Sequence, residues 1–354
     1  MTELGRGWTG GNQFRPAREV EIKYGHGLLG YESSKWPRNI VVTTPTAWKT
    51  ARPHISHEPA GVGFVSMLDW DHLEETSNSL PDDAELVVGV GGGTALDASK
   101  YVALKKDLPL ILVPTVVSTG AIIHGIFGIW KGHNLIGEGG SDWPYCDFDH
   151  VLVDYDLILE APWNLNTAGI GDVLCMYSGI SEWRYKAELG EAPKVDERLT
   201  QPTIDYYRQI SSEFPKTLDR AGHLTPDSVG LIMKSIHERD DRQLVSPHAP
   251  GGGHGLCGLL EQVLETGLIH GEVAALGAVA VCWATGDYQE LMQQLDDCKV
   301  RFRPTDMGLK RNQLRDVLEH APQWFTSQDV TTILKTEPIV GERFEEFWEF
   351  ITSH

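Results

Sequence analysis

Residues 86–102 read L-V-V-G-V-G-G-G-T-A-L-D-A-S-K-Y-V: a strand-like apolar run breaks into glycines and restarts as a helix. Little else along the chain limits the fold so strongly. Glycines at 89, 91, 92 and 93 let the backbone turn sharply and approach a ligand closely. The helix that follows offers free N–H groups and the positive end of its dipole, so the turn is suited to a phosphate. The spacing is not G-x-G-x-x-G, and a tight strand-to-helix turn with no ligand is the plainer alternative.

The rhythm around this turn repeats. Strand-like runs occur at 39–44, 63–68, 86–90, 108–115 and 151–154, with a helix expected from Thr94 to about Lys105. Strands alternating with helices predict a parallel, doubly wound α/β sheet. After about Ala161 strand-like runs nearly vanish. Pro162 suits a first helical turn, and helical periodicity runs through 167–188, 200–220, 225–240 and 255–285. The expectation is an α/β domain over 1–160 that binds a dinucleotide, and an all-α domain over 161–354 that carries metal and substrate.

The 354 residues carry 50 Asp and Glu against 30 Lys and Arg, a formal net charge of −20. An acidic surface disfavours nucleic acid and anionic membranes as partners but leaves room for a small phosphorylated substrate in one basic pocket. Cysteines 146, 175, 257, 282 and 298 form no C-x-x-C pair, and their odd, scattered number suits a reducing compartment. M-T-E-L-G-R-G-W-T-G-G-N-Q-F lacks a signal-peptide core, and no apolar run is long enough to span a bilayer. A cytoplasmic protein is expected. A homo-oligomer is compatible with the sequence but not fixed by it.

Asp97 and Lys100 lie three apart on the helix after the glycine turn, either tying the loop or forming an exposed ion pair. A second turn, Pro114 to Gly120, follows the next buried strand. Ligands of open α/β sheets bind at the carboxyl ends of strands, so both turns are candidates for one crevice. Thr115, Ser118 and Thr119 offer hydroxyls to a cofactor, or simply cap the turn.

Asp172 (in A-G-I-G-D), His254 (in G-G-G-H-G) and His270 (in I-H-G-E) form the second constellation. Asp172 reads as the start of a helical run, where an acid is also a routine cap. Three glycines before His254 suggest a backbone crowded against a neighbour such as a cofactor ring. His270 leads into Gly271-Glu272, where Glu272 either supports the histidine or starts a helix. Any one of the 14 histidines is more often surface or core than ligand. Together, one carboxylate and two imidazoles supply the three protein ligands of a catalytic metal site with one position open. His124 and His248 are proton-relay candidates, each weighed against a structural role.

As a set, these segments resemble the iron-containing alcohol dehydrogenase and dehydroquinate synthase superfamily, with the nearest likeness to its glycerol-1-phosphate dehydrogenase branch. The matching stretches are 91–101, Val113-Pro114-Thr115 with Ser118, 154–156, Ala161-Pro162, 168–172, Glu182-Trp183-Arg184, Gly253-His254 and 270–272. The resemblance implies a Rossmann-like N-terminal domain, an all-α C-terminal domain and an active site in the cleft between them. It implies that Asp172, His254 and His270 hold Zn²⁺ or Fe²⁺ and act in catalysis. Gly91, Gly92, Gly93, Asp97, Thr115, Ser118 and Thr43 are expected to hold NAD or NADP. Thr43 and Thr44 stand where an acid would grip an adenosine ribose, which weakens discrimination against NADP. The chain departs from the branch at Thr119-Gly120-Ala121, at Gly252-Gly253 and at Gly258, where an acid, Ser-Glu and a second histidine are usual.

The implied function is a metal-dependent NAD(P)-linked oxidoreductase acting on a small polyol, a sugar alcohol or its phosphate. A dehydroquinate synthase-like cyclase, returning the hydride within one turnover, is the alternative. A degenerate, non-catalytic binding protein is a third.

Overall fold

The computed structural model describes residues 20–132, 134–136, 144–243, 251–264, 268–328 and 330–353. The chain divides into two compact units, Met1–Pro162 and Trp163–His354.

Six parallel strands form the sheet of the first unit. They are β1 (Glu21–Gly25), β2 (Asn39–Thr43), β3 (Gly61–Phe64), β4 (Leu86–Gly91), β5 (Leu110–Pro114) and β8 (His150–Asp154), in the order β1-β8-β5-β4-β2-β3. A small antiparallel pair, β6 (Trp130–Lys131) and β7 (Asn134–Leu135), stands apart. Helices α1 (Leu28–Ser33), α2 (Pro45–Ala51), α3 (Trp70–Ser79), α4 (Gly93–Lys106) and α5 (Tyr155–Glu160) complete it. Every residue of β2, β4 and β5 is buried, as parallel strands covered on both faces require. Val41, Val88, Val90, Val113 and Leu152 build the core beneath α1, α2 and α5.

β3 starts two residues before the expected run, because its glycines admit close neighbours. A Cβ on Gly61 would lie 2.7 Å from Cδ of Pro81, and one on Gly63 would lie 2.8 Å from Cγ2 of Thr76. β1 was not expected at all. E-I-K-Y-G is an edge strand, half exposed and partly charged, so it lacks the apolar run that marked the others.

The second unit is helical: α6 (Trp163–Leu174), α7 (Tyr177–Leu189), α8 (Glu197–Thr217), α9 (Pro226–Gln243), α10 (Gly252–Leu264), α11 (His270–Thr285), α12 (Gln289–Asp297), α13 (Arg311–Ser327), α14 (Ile333–Thr336) and α15 (Glu342–Ser353). Helix α11 is its axis. All residues from Gly271 to Cys282 are buried and, Glu272 apart, none carries a charge; the helix packs against α6, α7 and α10. Among the described residues no helix is long and apolar enough to cross a membrane.

Candidate functional site

In the first unit, β4 ends at Gly91 and α4 begins at Gly93. Gly91 has φ 149°, and a Cβ there would lie 2.7 Å from that of Ala95. Gly92 is the N-cap of α4 and makes no side-chain cap, so the first N–H groups of the helix are left to a ligand or water. A Cβ on Gly92 or Gly93 would meet Val116 and Thr119 at 3.2 Å, so the Pro114–Gly120 turn lies directly against the glycine turn.

The ion pair of α4 binds these turns together. Lys100 is fully buried; its Nζ donates to Asp97 Oδ1 at 2.8 Å and to the Ala121 carbonyl at 2.7 Å. Of the two readings of Asp97 and Lys100, the loop tie is the one found. Thr115 N donates to the Gly91 carbonyl at 3.0 Å, and Thr115 and Ser118 are both buried. Thr119 caps the short helical turn Gly120–Ile122 by accepting from Ala121 N. Thr43 does not join them: it is buried within the sheet, and its hydroxyl donates to the Val90 carbonyl at 2.7 Å. Thr44 caps α2. His124 reaches the Ile126 carbonyl with Nδ1 at 3.0 Å, a local bond. His248 lies outside the described residues.

In the second unit Asp172, His254 and His270 converge, with one ligating atom of each within 4.8 Å of the others. Nε2 of His270 lies 3.2 Å from Nε2 of His254 and 3.6 Å from Oδ1 of Asp172. A tetrahedral cation with bonds of about 2.0–2.1 Å needs donors about 3.3 Å apart. The arrangement fits a divalent cation.

Glycines bring the three together. Gly171, Gly253 and Gly271 each neighbour a candidate ligand, and at each one two helices close. A Cβ on Gly171 would lie 2.5 Å from the Gly271 carbonyl oxygen, and one on Gly271 would overlap the Ala168 carbonyl. A Cβ on Gly253 would come within 2.8 Å of Cα of Ala278. Gly252 is therefore crowded by Glu182 of α7 and by Thr332, and Gly253 by Ser178 of α7 and Ala278 of α11, whereas among the described residues a Cβ on Gly251 would meet only that of His254, at 3.7 Å. Asp172 also departs from expectation: it sits in the last turn of α6 rather than at a helix start.

Two further partners complete the cluster, and Arg239 was not singled out by sequence reasoning. Arg239 on α9 places Nη1 2.6 Å from Oδ2 of Asp172, with both side chains nearly buried. Glu261 on α10 places Oε1 2.8 Å from Nδ1 of His270. Of the two readings of Glu272, the helix start is the one found: it lies in the first turn of α11, accepts from Asn164 at 3.0 Å and pairs with Arg301 at 3.4 Å.

These contacts set the charge state. Burial, with the neighbouring His270, pulls the His254 imidazole down to about 4, so it stays neutral with a lone pair to donate. Burial opposes the charge on His270, but Cys257 and Glu261 outweigh it and raise this imidazole well above its usual value. Glu261 is held below the usual carboxylate range, because His270 overcomes the effect of burial. The Asp172 side chain is 2% exposed and that of His270 32%, so the cluster opens to solvent on the His270 side. Among the described residues a Cβ on Gly258 would meet nothing within 4 Å, which leaves space one turn beyond His254.

Comparison with known proteins gives concordant results. Residues 32–162 match the family described as iron-containing alcohol dehydrogenase. The chain is 24% identical to a glycerol-1-phosphate dehydrogenase [NAD(P)+] of Thermoplasma volcanium, over 85% of this chain and 88% of that one. It is 25% identical to the protein of that name from Methanospirillum hungatei, over 79% and 77%. A probable glycerol dehydrogenase from Sinorhizobium meliloti shares the fold, with a TM-score of 0.66 and 20% identity over 96% of this chain and 100% of that one. The resemblance read from the motifs stands, as does the expected pairing of a parallel α/β sheet with an all-α part.

Proposed function

We propose that this chain is an NAD(P)-dependent oxidoreductase that uses a divalent cation to act on a small polyol, a sugar alcohol or a phosphate of one. The convergence of Asp172 Oδ1, His254 Nε2 and His270 Nε2 within 4.8 Å carries the reading. The relatives, named as glycerol-1-phosphate and glycerol dehydrogenases, favour net redox chemistry over the cyclase alternative.

When bound, the cation, Zn²⁺ or Fe²⁺, supplies Lewis acidity at the reacting carbon–oxygen bond, and the nicotinamide supplies or accepts the hydride. Asp172, His254 and His270 hold the cation. Arg239 keeps the Asp172 carboxylate turned by its Oδ2, and Glu261 accepts a hydrogen bond from Nδ1–H of His270, so that Nε2 presents its lone pair. Gly91, Gly92 and Gly93 admit the dinucleotide phosphates to the free N–H groups of α4. Asp97, through Lys100, keeps the Thr115 and Ser118 turn beside them. No carboxylate ends β2, so both NAD and NADP are accepted. The space beside Gly258 accommodates the substrate and allows a bulkier one than a histidine there would.

Absorbance of the reduced nicotinamide, followed with polyols, ketoses and their phosphates at full metal loading, tests this. Turnover that disappears with the metal is the expected result. No turnover with any member of the panel counts against it, and phosphate release without net NADH points to the cyclase.

A further inference from the structure

His270 faces donors with both of its ring nitrogens, and only Nε2 belongs to the first ligand set. On α10, residues 254, 257 and 261 form a single stripe at spacings of three and four. The first faces Nε2 of His270. The other two face Nδ1: Glu261 Oε1 at 2.8 Å and Cys257 Sγ at 3.6 Å, with 3.7 Å between Cys257 Sγ and Glu261 Oε1. Their ligating atoms form a second set within 4.8 Å. A tetrahedral cation bound through sulfur at about 2.3 Å and through nitrogen and oxygen at about 2.0–2.1 Å needs sulfur edges of about 3.5 Å. Both sulfur edges match. The nitrogen–oxygen edge must open by about half an ångström, as a hydrogen bond gives way to shared coordination.

We propose that Cys257, Glu261 and Nδ1 of His270 form a second, inhibitory site for a soft divalent cation such as Zn²⁺ or Cd²⁺, mutually exclusive with the Asp172–His254–His270 set. A thiolate makes the site softer than the first one and suits it to thiophilic cations. The exclusion follows from the protons. Neutral imidazole has one lone pair and one N–H. When Nδ1 coordinates, the ring proton moves to Nε2 and the first set loses a ligand. The Cys257 thiol releases its proton to solvent. His270 keeps 32% of its side chain exposed, which gives the cation a way in.

Titration of the metal-loaded full chain with Cd²⁺ tests the proposal, and its main readout needs no turnover, so it stands apart from the redox assignment. The expected result is a near-ultraviolet sulfur-to-cadmium charge-transfer band that is absent from Cys257→Ser and retained in Cys175→Ser. Cd²⁺ inhibition of any turnover should need about tenfold more cation or greater in Cys257→Ser. A wild-type chain with no band, or a band that survives Cys257→Ser, overturns it. Should Cys257→Ser fail to fold, X-ray absorption at the cadmium edge of the wild-type protein decides: one sulfur in the coordination shell supports the site, and a shell of nitrogen and oxygen alone refutes it.

Discussion

Glu261 and His270, nine residues apart in sequence, are joined by a 2.8 Å contact between Oε1 and Nδ1 that turns Nε2 of the imidazole toward His254. A carboxylate in that position fixes the tautomer and raises the basicity of a ligating histidine. Glu261→Gln should therefore weaken the divalent cation by about 10–100-fold with little change in fold. Competition against a chelator of known affinity measures it. Unchanged affinity would mean that His270 is oriented by packing alone.

Arg239 does for Asp172 what a bound cation would also do: it balances a buried negative charge. Replacing it with Met removes that balance from the metal-free protein, at a cost of about 3–5 kcal/mol. With the cation present the loss should be smaller, because the metal then faces the same carboxylate. Urea unfolding of wild type and Arg239→Met, each with and without metal, gives the four values needed. An equal loss in both states would show that Arg239 acts through packing and not through charge.

How much of this was legible depended on whether the signal was contiguous. The β4 strand, its glycines and the start of α4 are adjacent in sequence, so apolar run, turn residues and helix start agreed. The motifs around Asp172, His254 and His270 carry ligands beside glycines, and both features survive as sequence. Glu272 starts its helix, one of its two readings; the other, support for His270, took adjacency for proximity. Side chains two apart on a helix point to different sides, whereas Glu261 reaches His270 from the facing helix α10. Arg239 had no signal, being one basic residue inside the charged run H-E-R-D-D-R. Cys257 went unremarked because a search for cysteine pairs overlooks one cysteine in a stripe with histidine and glutamate.

The glycine contacts predict a contrast between two substitutions. Gly271→Ala puts a methyl group into the Ala168 carbonyl, so α11 must retreat from α6 and carry His270 away from Asp172. Stability should fall by about 1–3 kcal/mol, with metal affinity falling alongside. Gly258→Ala adds the same methyl where none of the described residues lies within 4 Å, inside helix α10. It should stabilise the protein by about 0.5–1 kcal/mol through helix propensity and leave metal affinity unchanged. Thermal unfolding and chelator competition on both variants check this, and similar behaviour of the two would refute the helix-closure account.

Glu182 predicts a pH dependence of stability that originates two residues from His254. This buried carboxylate accepts from Gly252 N at 3.2 Å, from Ile333 N at 3.0 Å and from the Thr332 hydroxyl, and so anchors the start of α10. Burial outweighs these bonds and pushes its pKa up to about 7 from an ordinary 4.5. Between those values the folded chain holds a proton that the unfolded chain has released, so stability falls as pH rises. The contribution is complete below the unfolded value and lost as pH passes through about 7, a change on the order of 3 kcal/mol. Other groups titrate in the same range, so the difference between wild type and Glu182→Gln is the informative quantity. Relative to wild type, the amide variant should gain stability steadily from about pH 5 to about pH 8. Glu182→Ala should be less stable throughout, because it strands the Gly252 and Ile333 N–H groups. A constant wild-type-to-Gln difference across that range would show that Glu182 remains ionised in the folded protein, held by its three donors.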